Sequence, residues 1–243
     1  PDSVQTTKNM NLSGLTLTVY FALHLAFTKP GNTSPVDDIA VNCGSSGNST
    51  ALDGREWIGD NIGSKFTSSQ EPKAKSISST TIHQLVSVDH VPYSTARLSR
   101  AQFTYTFQVS PGQKFLRLHF HPASYLGFEK SKAFFTVKAG RFTLLTNFSA
   151  SLTADALGVK SFAKEFCVTV EENQALNITF SPYRSGTDIY AFINGIEIVS
   201  MPSGLYHGDL GAPVIGKNYY RFYIDDSTPL ELVHRLNVGG RSI

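Results

Sequence analysis

After residue 36 the chain is written in short alternating stretches cut by turn residues, and that rhythm restricts it to β-structure. In "FTYTFQVS" the aromatic side chains of Phe103, Tyr105 and Phe107 alternate with Thr104, Thr106 and Gln108, the period of a strand with one buried face. The same reading predicts strands over Ile39–Asn42, Phe103–Gln108, Lys114–His121, Ala133–Ala139, Arg141–Asn147, Ser161–Val170, Ala175–Ser181 and Tyr190–Ser200. Pro111-Gly112, Ala139-Gly140, Glu171-Glu172-Asn173 and Asn194-Gly195 supply the turns between them, the last as a type I′ signal or a bulge. Thr153–Leu157 is the one helical candidate and is too short to build a domain. Ser64–Ser87, rich in Ser, Thr and Lys, reads as a long surface connection. The fold class that follows is all-β, an antiparallel jelly-roll β-sandwich.

Composition agrees. Charged residues make up 16% of the chain, below the usual ~25%, while 17 Phe and 10 Tyr suit pleated, half-buried surfaces. A net charge of +2 with no polybasic run gives no basis for nucleic-acid binding. Cys43 and Cys167 are the only cysteines. They exclude a thiolate zinc site and leave open a single disulfide or two buried thiols.

Residues 12–27, "LSGLTLTVYFALHLAF", carry no formal charge and precede a polar stretch. The length suits a signal-peptide core better than a membrane span. Residues 1–36 are therefore expected to be a leader, with Met10 as a possible start. Beyond it lie three N-x-S/T sequons, at Asn48, Asn147 and Asn177. Together with a leader they point to a secreted glycoprotein. The C-terminal stretch "LELVHRLNVGGRSI" reads as the opening of a further module.

Catalytic signatures are absent: there is no G-x-S-x-G and no H-E-x-x-H, and "NCGSSGNS" lacks the Lys of a phosphate loop. Asp37-Asp38 and Asp225-Asp226 are adjacent pairs that diverge on a strand, so turn roles are expected of them. His119 and His121 in "FLRLHFHPASY" share a strand face, a spacing that can hold a metal when a third ligand exists. His83, His90, His207 and His234 offer no ligand motif, so neither metal nor cofactor is expected. Binding has more support. Tyr93, Arg97, Arg100, Tyr125 and Arg141 fall near strand ends, where aromatic rings stack on sugars and guanidinium groups clamp carboxylates. Tyr93 as a core aromatic and Arg97 as a structural arginine are the competing assignments.

The stretches "VNCGSSGNST", "REWIGD", "VPYSTARLSRAQFTYTF", "RLHFHPASY", "FTLLTNFSAS", "YAFINGIEIVSMP" and "RLNVGG" resemble, in this order, the malectin-like ectodomains of plant receptor-like kinases of the FERONIA type. The resemblance implies two tandem malectin-like sandwiches followed by a membrane helix and a kinase. Residues 37–203 would be the first sandwich and 204–243 a linker and truncated start of the second. It also implies an extracellular site that senses pectin-like wall polysaccharide, or else a module binding a secreted alkalinizing peptide with its co-receptor. Membrane attachment would come only through a kinase-bearing full-length form. Animal malectin holds a disaccharide with aromatic residues and an acidic residue on loops at one end. Here "HPASYLG" offers only Tyr125 for the aromatic pair, leaving Tyr93, Arg97 and Tyr125 as successors, with Trp57 expected to pack. His121, beside His119, is expected to line this loop and tune binding between about pH 5 and 7, where imidazole titrates.

Overall fold

The computed structural model describes residues 36–60, 66–70, 77–78, 90–125, 127–183, 186–202, 204–206, 211–215 and 221–234. The expected leader and His83 and His207 lie outside them. In chain order the strands are β1 (Asp38–Asn42), β2 (Ser49–Thr50), β3 (Glu56–Gly59), β4 (Phe66–Gln70), β5 (Ile77–Ser78), β6 (Arg97–Ser99), β7 (Phe103–Phe107), β8 (Gly112–Phe120), β9 (Phe135–Ala139) and β10 (Phe142–Phe148). Helix α1 (Ala150–Leu157) follows, then β11 (Phe162–Val170), β12 (Leu176–Pro182), β13 (Ala191–Ile193), β14 (Gly195–Ser200), β15 (Ala212–Ile215), β16 (Arg221–Ile224) and β17 (Leu230–Leu232).

A seven-stranded sheet in the order β17-β11-β8-β14-β1-β3-β2 and a five-stranded sheet in the order β10-β9-β12-β7-β4 supply the two layers. A three-stranded piece, β13-β6-β5, joins them, and β15-β16 form a separate ribbon. Pairing is antiparallel except for β1 beside β3. Alternate residues of each layer point inward: Leu116, Leu118 and Phe120 from β8, Phe166 and Val168 from β11, Phe103, Tyr105 and Phe107 from β7, Ile178 and Phe180 from β12. Phe120 spans the interface, its ring 5.2 Å from that of Phe148 and 6.1 Å from that of Phe135. Each such fully buried phenylalanine contributes roughly 2–3 kcal/mol by leaving water.

Three departures from the sequence expectation have physical causes. Tyr190–Ser200 is two strands, because the chain changes sheets at Asn194: β13 pairs with β6, whereas β14 pairs with β8 and β1. The wholly buried Asn194 side chain satisfies the backbone there, donating to Thr95 O at 2.8 Å and accepting from His121 N at 2.6 Å. Gly195 follows because a Cβ would sit 2.5 Å from Pro92 Cγ and 2.8 Å from Trp57 Cζ3. The Ser64–Ser87 connection contains β4 and β5, which pair with β7 and β6. Helix α1 begins three residues before Thr153, since Ser149 caps it by accepting from Leu152 N and Gly158 ends it with φ 68°. The stretch expected to open a further module begins with β17, which pairs with β11 over Glu165–Cys167.

Strand direction sorts the loops. β8 ends, and β7, β9, β11 and β14 begin, at one end of the sandwich, where residues 121–125, 127–134, 183 and 186–190 also lie. The β9–β10 hairpin lies at the opposite end.

Candidate ligand-binding cleft

Two of the expected contact residues are internal supports. Arg97 is 7% exposed and its Nε donates to Asp60 Oδ2 at 2.6 Å. The same oxygen accepts from Tyr105 OH at 2.8 Å and Gly44 N at 2.8 Å. A charge so buried is tolerable only with its partner, and this guanidinium serves the fold. Tyr125, 3% exposed, donates its hydroxyl to His121 O at 2.8 Å and accepts from Asn194 Nδ2 at 3.0 Å. Its ring therefore braces the 121–128 loop from within and presents no face for sugar stacking.

Tyr93, His119 and His121 come together on the outer side of the seven-stranded sheet. The Tyr93 ring lies 5.7 Å from His119 and 6.5 Å from His121, so both histidines flank it. His119 Nδ1 is 3.0 Å from the Tyr93 hydroxyl, and Nε2 is 2.6 Å from Glu197 Oε1. Trp57 meets His119 edge-on at 5.3 Å and is 3% exposed, the packing role expected of it. Burial alone would raise the Glu197 carboxyl, yet the His119 hydrogen bond and the charges of His119, Arg55 and Arg117 hold it below the usual carboxylate range. Among the described residues no group of three His, Cys, Asp or Glu side chains is placed to hold a metal.

The open site lies beside this corner, at the same end of the sandwich. A cleft of about 400 Å³ is lined by Arg100, Gln102, Ser181, Tyr183 and Asp188, with Gly186 and Ile189 behind. Arg100 follows β6, Gln102 precedes β7, and Ser181 and Tyr183 stand at the end of β12. The guanidinium of Arg100 is held from three directions: it donates to Gly127 O at 2.9 Å, lies 4.5 Å over the Phe128 ring, and has its Nε 3.4 Å from Asp188 Oδ1. Phe128 is fixed in turn against Tyr190, ring centroids 4.9 Å apart. The Arg100 side chain is still half exposed, Tyr183 is 49% exposed, and Ser181 is fixed by donating to Gln102 Oε1 at 2.9 Å. Asp188 adopts φ 64°, an uncommon backbone for aspartate.

Of the sequence-predicted residues only Arg100 lines this cleft. Gln102, Tyr183 and Asp188 carry no local motif; they meet because the β6–β7 and β12–β13 connections converge at one end of the sandwich. Arg141 stands at the opposite end, paired with Glu171 at 2.7 Å. Cys43 and Cys167 are separate buried thiols. Burial, aided by the Asp60 carboxylate, pushes Cys43 far up, and burial pushes Cys167 up to about 11. The sequon asparagines Asn48, Asn147 and Asn177 are all exposed.

Comparison with known proteins places this architecture. The model of the malectin-like domain family matches residues 41–243. Receptor-like protein kinase FERONIA of Arabidopsis thaliana is 46% identical over 211 residues, covering 86% of this chain and 23% of the kinase. The crystal structure of plant receptor-like kinase FER superimposes with a TM-score of 0.71 at 43% identity, over 85% of this chain and 50% of that one. The crystal structure of plant peptide RALF23 in complex with FER and LLG2 matches with a TM-score of 0.70 at 42% identity, over 87% and 51%. The chain thus spans about a quarter of the kinase and half of the crystallised FER chain. It belongs to the malectin-like domain family, in the form found in the extracellular part of FERONIA-type plant receptor-like kinases.

Proposed function

We propose that this chain is a noncatalytic extracellular recognition domain that binds an acidic, pectin-like wall polysaccharide in the Arg100–Tyr183 cleft. One observation carries the reading: a guanidinium fixed by Gly127, Phe128 and Asp188 but half open to solvent, beside an exposed tyrosine ring. A fixed guanidinium offers paired N–H donors matched to a uronate carboxylate, and an exposed ring offers a face for the sugar. This reading keeps the expected division into a leader over 1–36, a first sandwich over 37–203 and the start of a second module over 204–243, with β17 from the last part lending an edge strand to the first sandwich. It works within a receptor-kinase ectodomain or a soluble relative of one.

Titration with de-esterified oligogalacturonide at low and physiological salt tests this. Saturable binding that weakens with salt and is lost in Arg100→Ala supports the assignment. Equal binding by the variant moves the site elsewhere, and no binding by the parent chain removes the ligand.

A second reading, a protein-interaction module for a secreted peptide and its co-receptor, has its own support. The similar FER chain is crystallised with peptide RALF23 and LLG2. In this chain Leu205, Tyr206, Val214, Phe222 and Tyr223 are between 40% and 63% exposed, an apolar concentration of the kind that accompanies protein partners. Such binding would be far less sensitive to salt than uronate binding.

A further inference from the structure

The outer face of the five-stranded sheet is rich in hydroxyls over β7, β9 and β12. It presents Thr104 and Thr106 from β7, Thr136 and Lys138 from β9, and Asn177, Thr179 and Ser181 from β12. These hydroxyls satisfy one another. Thr104 Oγ1 lies 2.9 Å from Thr179 Oγ1, Thr106 donates to Asn177 Oδ1 at 2.7 Å, and Ser181 donates to Gln102 at 2.9 Å. Asn147 N reaches Thr136 Oγ1 at 3.4 Å. None of these seven strand positions is one of the aromatic or arginine anchors on which protein interfaces depend; the exposed Tyr183 stands just beyond the end of β12, in the cleft.

Two sequons open onto it. Asn177 sits on β12 opposite Thr106 and is exposed, and Asn147 closes β10 at the flank of the same sheet, also exposed. Asn147 adopts φ 45° within a stretch of shifted β9–β10 register, which re-aims the strand there. The third sequon, Asn48, precedes β2 at the far edge of the seven-stranded sheet. An N-linked glycan is added to the extended chain, so folding must leave each modified asparagine outside. Asn147 and Asn177 meet that condition on one continuous hydroxyl surface.

We infer that Asn147 and Asn177 carry N-linked glycans that together cover the outer face of the five-stranded sheet, so that partners approach from the cleft end or the seven-stranded side. The cleft lies at the rim of the covered face, since its lining residue Ser181 is four residues beyond Asn177, about 13 Å along the strand. The inference rests on the extracellular location and not on the identity of the cleft's ligand.

The full chain secreted from a eukaryotic host tests it. Peptide mapping after enzymatic glycan release in heavy-oxygen water marks each formerly occupied asparagine. In parallel, Lys138→Cys places a thiol on this exposed face, against a background of two buried native thiols, and a bulky maleimide reports its access. We expect marked Asn147 and Asn177, and labelling of Lys138→Cys that accelerates about tenfold once endoglycosidase trims the glycans. Asp155→Cys, on exposed α1 at the cleft end, should label at one rate throughout. A bare Asn177 or Asn147 overturns the inference, and so does an unchanged Lys138→Cys rate on occupied protein. Trimming acts on already folded protein, so a folding defect cannot mimic either result.

Discussion

The ammonium of Lys114 lies 3.1 Å from Asp37 Oδ2 in a site where the lysine side chain is 2% exposed. Ser110 and Ser200 complete the cluster, their hydroxyls each 3.0 Å from Lys114 Nζ. Asp37 immediately precedes β1 and Ser200 ends β14, so one buried charge ties β1 and β14 to the start of β8.

Lys114→Ala should therefore destabilise the domain by about 1–3 kcal/mol, since it takes the cation and its hydrogen bond from a partly buried carboxylate. Urea unfolding of the variant and of Asp37→Asn, with the double variant, measures the coupling. Burial alone would raise the Asp37 carboxyl, but hydrogen bonds from Ser110 and Lys114 and the ammonium charge hold it below its ordinary value. The unfolded chain then takes up its proton first as pH falls. This contribution is complete above about pH 4 and drains away as pH falls through the lower folded value. Asp37→Asn should flatten that part of the acid-unfolding curve.

Arg97 and Arg100 sit three residues apart and should behave oppositely. Arg97→Ala leaves Asp60 buried without its cation and should cost about 3 kcal/mol or more. Tyr105→Phe removes one hydrogen bond to the same carboxylate and should cost about 1–2 kcal/mol. Neither should change ligand affinity per folded molecule. Thermal unfolding and binding measured on the same samples separate the two effects.

That contrast shows what the sequence could and could not disclose. The sandwich was legible because each strand carries its own period, and the predicted strands match the observed ones closely in seven of eight cases. The eighth failed at Asn194, where a sheet change is enforced by a long-range side chain that no local pattern encodes. Arg100, which lines the cleft, read no differently from the buried Arg97 and Tyr125, because residue type at a strand end does not reveal burial. The carboxylate that claims Arg97 lies 37 positions away. Tyr183 and Asp188 were invisible for the converse reason: they become site residues only when two connections converge.

His121 should titrate below the ordinary imidazole value. Burial disfavours its charged form and the Lys160 charge adds to this, outweighing the hydrogen bond to Lys160 O. The unfolded chain binds the proton more readily, so this contribution to stability is complete above about pH 6.5 and declines as pH falls toward the folded value. Proton resonances of the ring should give a midpoint under about 6.5. The sequence-based expectation that His121 tunes binding between about pH 5 and 7 requires an oligogalacturonide affinity that tracks this midpoint and loses its pH dependence in His121→Gln; an affinity that ignores the midpoint removes it.

Gly195→Ala tests the sheet change. Its added methyl would fall 2.5 Å from Pro92 Cγ and 2.8 Å from Trp57 Cζ3, both on buried side chains. We expect a loss of about 1–3 kcal/mol from overpacking. Increased exposure of the single tryptophan, read by fluorescence quenching, should accompany it. A variant as stable as the parent would mean that the 90–95 loop yields easily.

The cleft makes the most discriminating prediction, because Asp188 occupies part of the surface a uronate would use. An exposed ion pair such as Arg100–Asp188 is worth ~0.2–1 kcal/mol, so releasing the guanidinium should strengthen carboxylate binding only about two- to fivefold. Asp188→Asn should therefore raise affinity for de-esterified oligogalacturonide by that factor and leave its methyl-esterified counterpart unchanged. Arg100→Ala removes the hydrogen bonds to a charged ligand and should weaken the acidic oligomer about ten- to hundredfold. Tyr183→Ala should weaken both oligomers alike, since stacking does not depend on the carboxylate. If Asp188→Asn instead weakens both, Asp188 is a hydrogen-bond acceptor for sugar hydroxyls, and the cleft recognises a neutral saccharide.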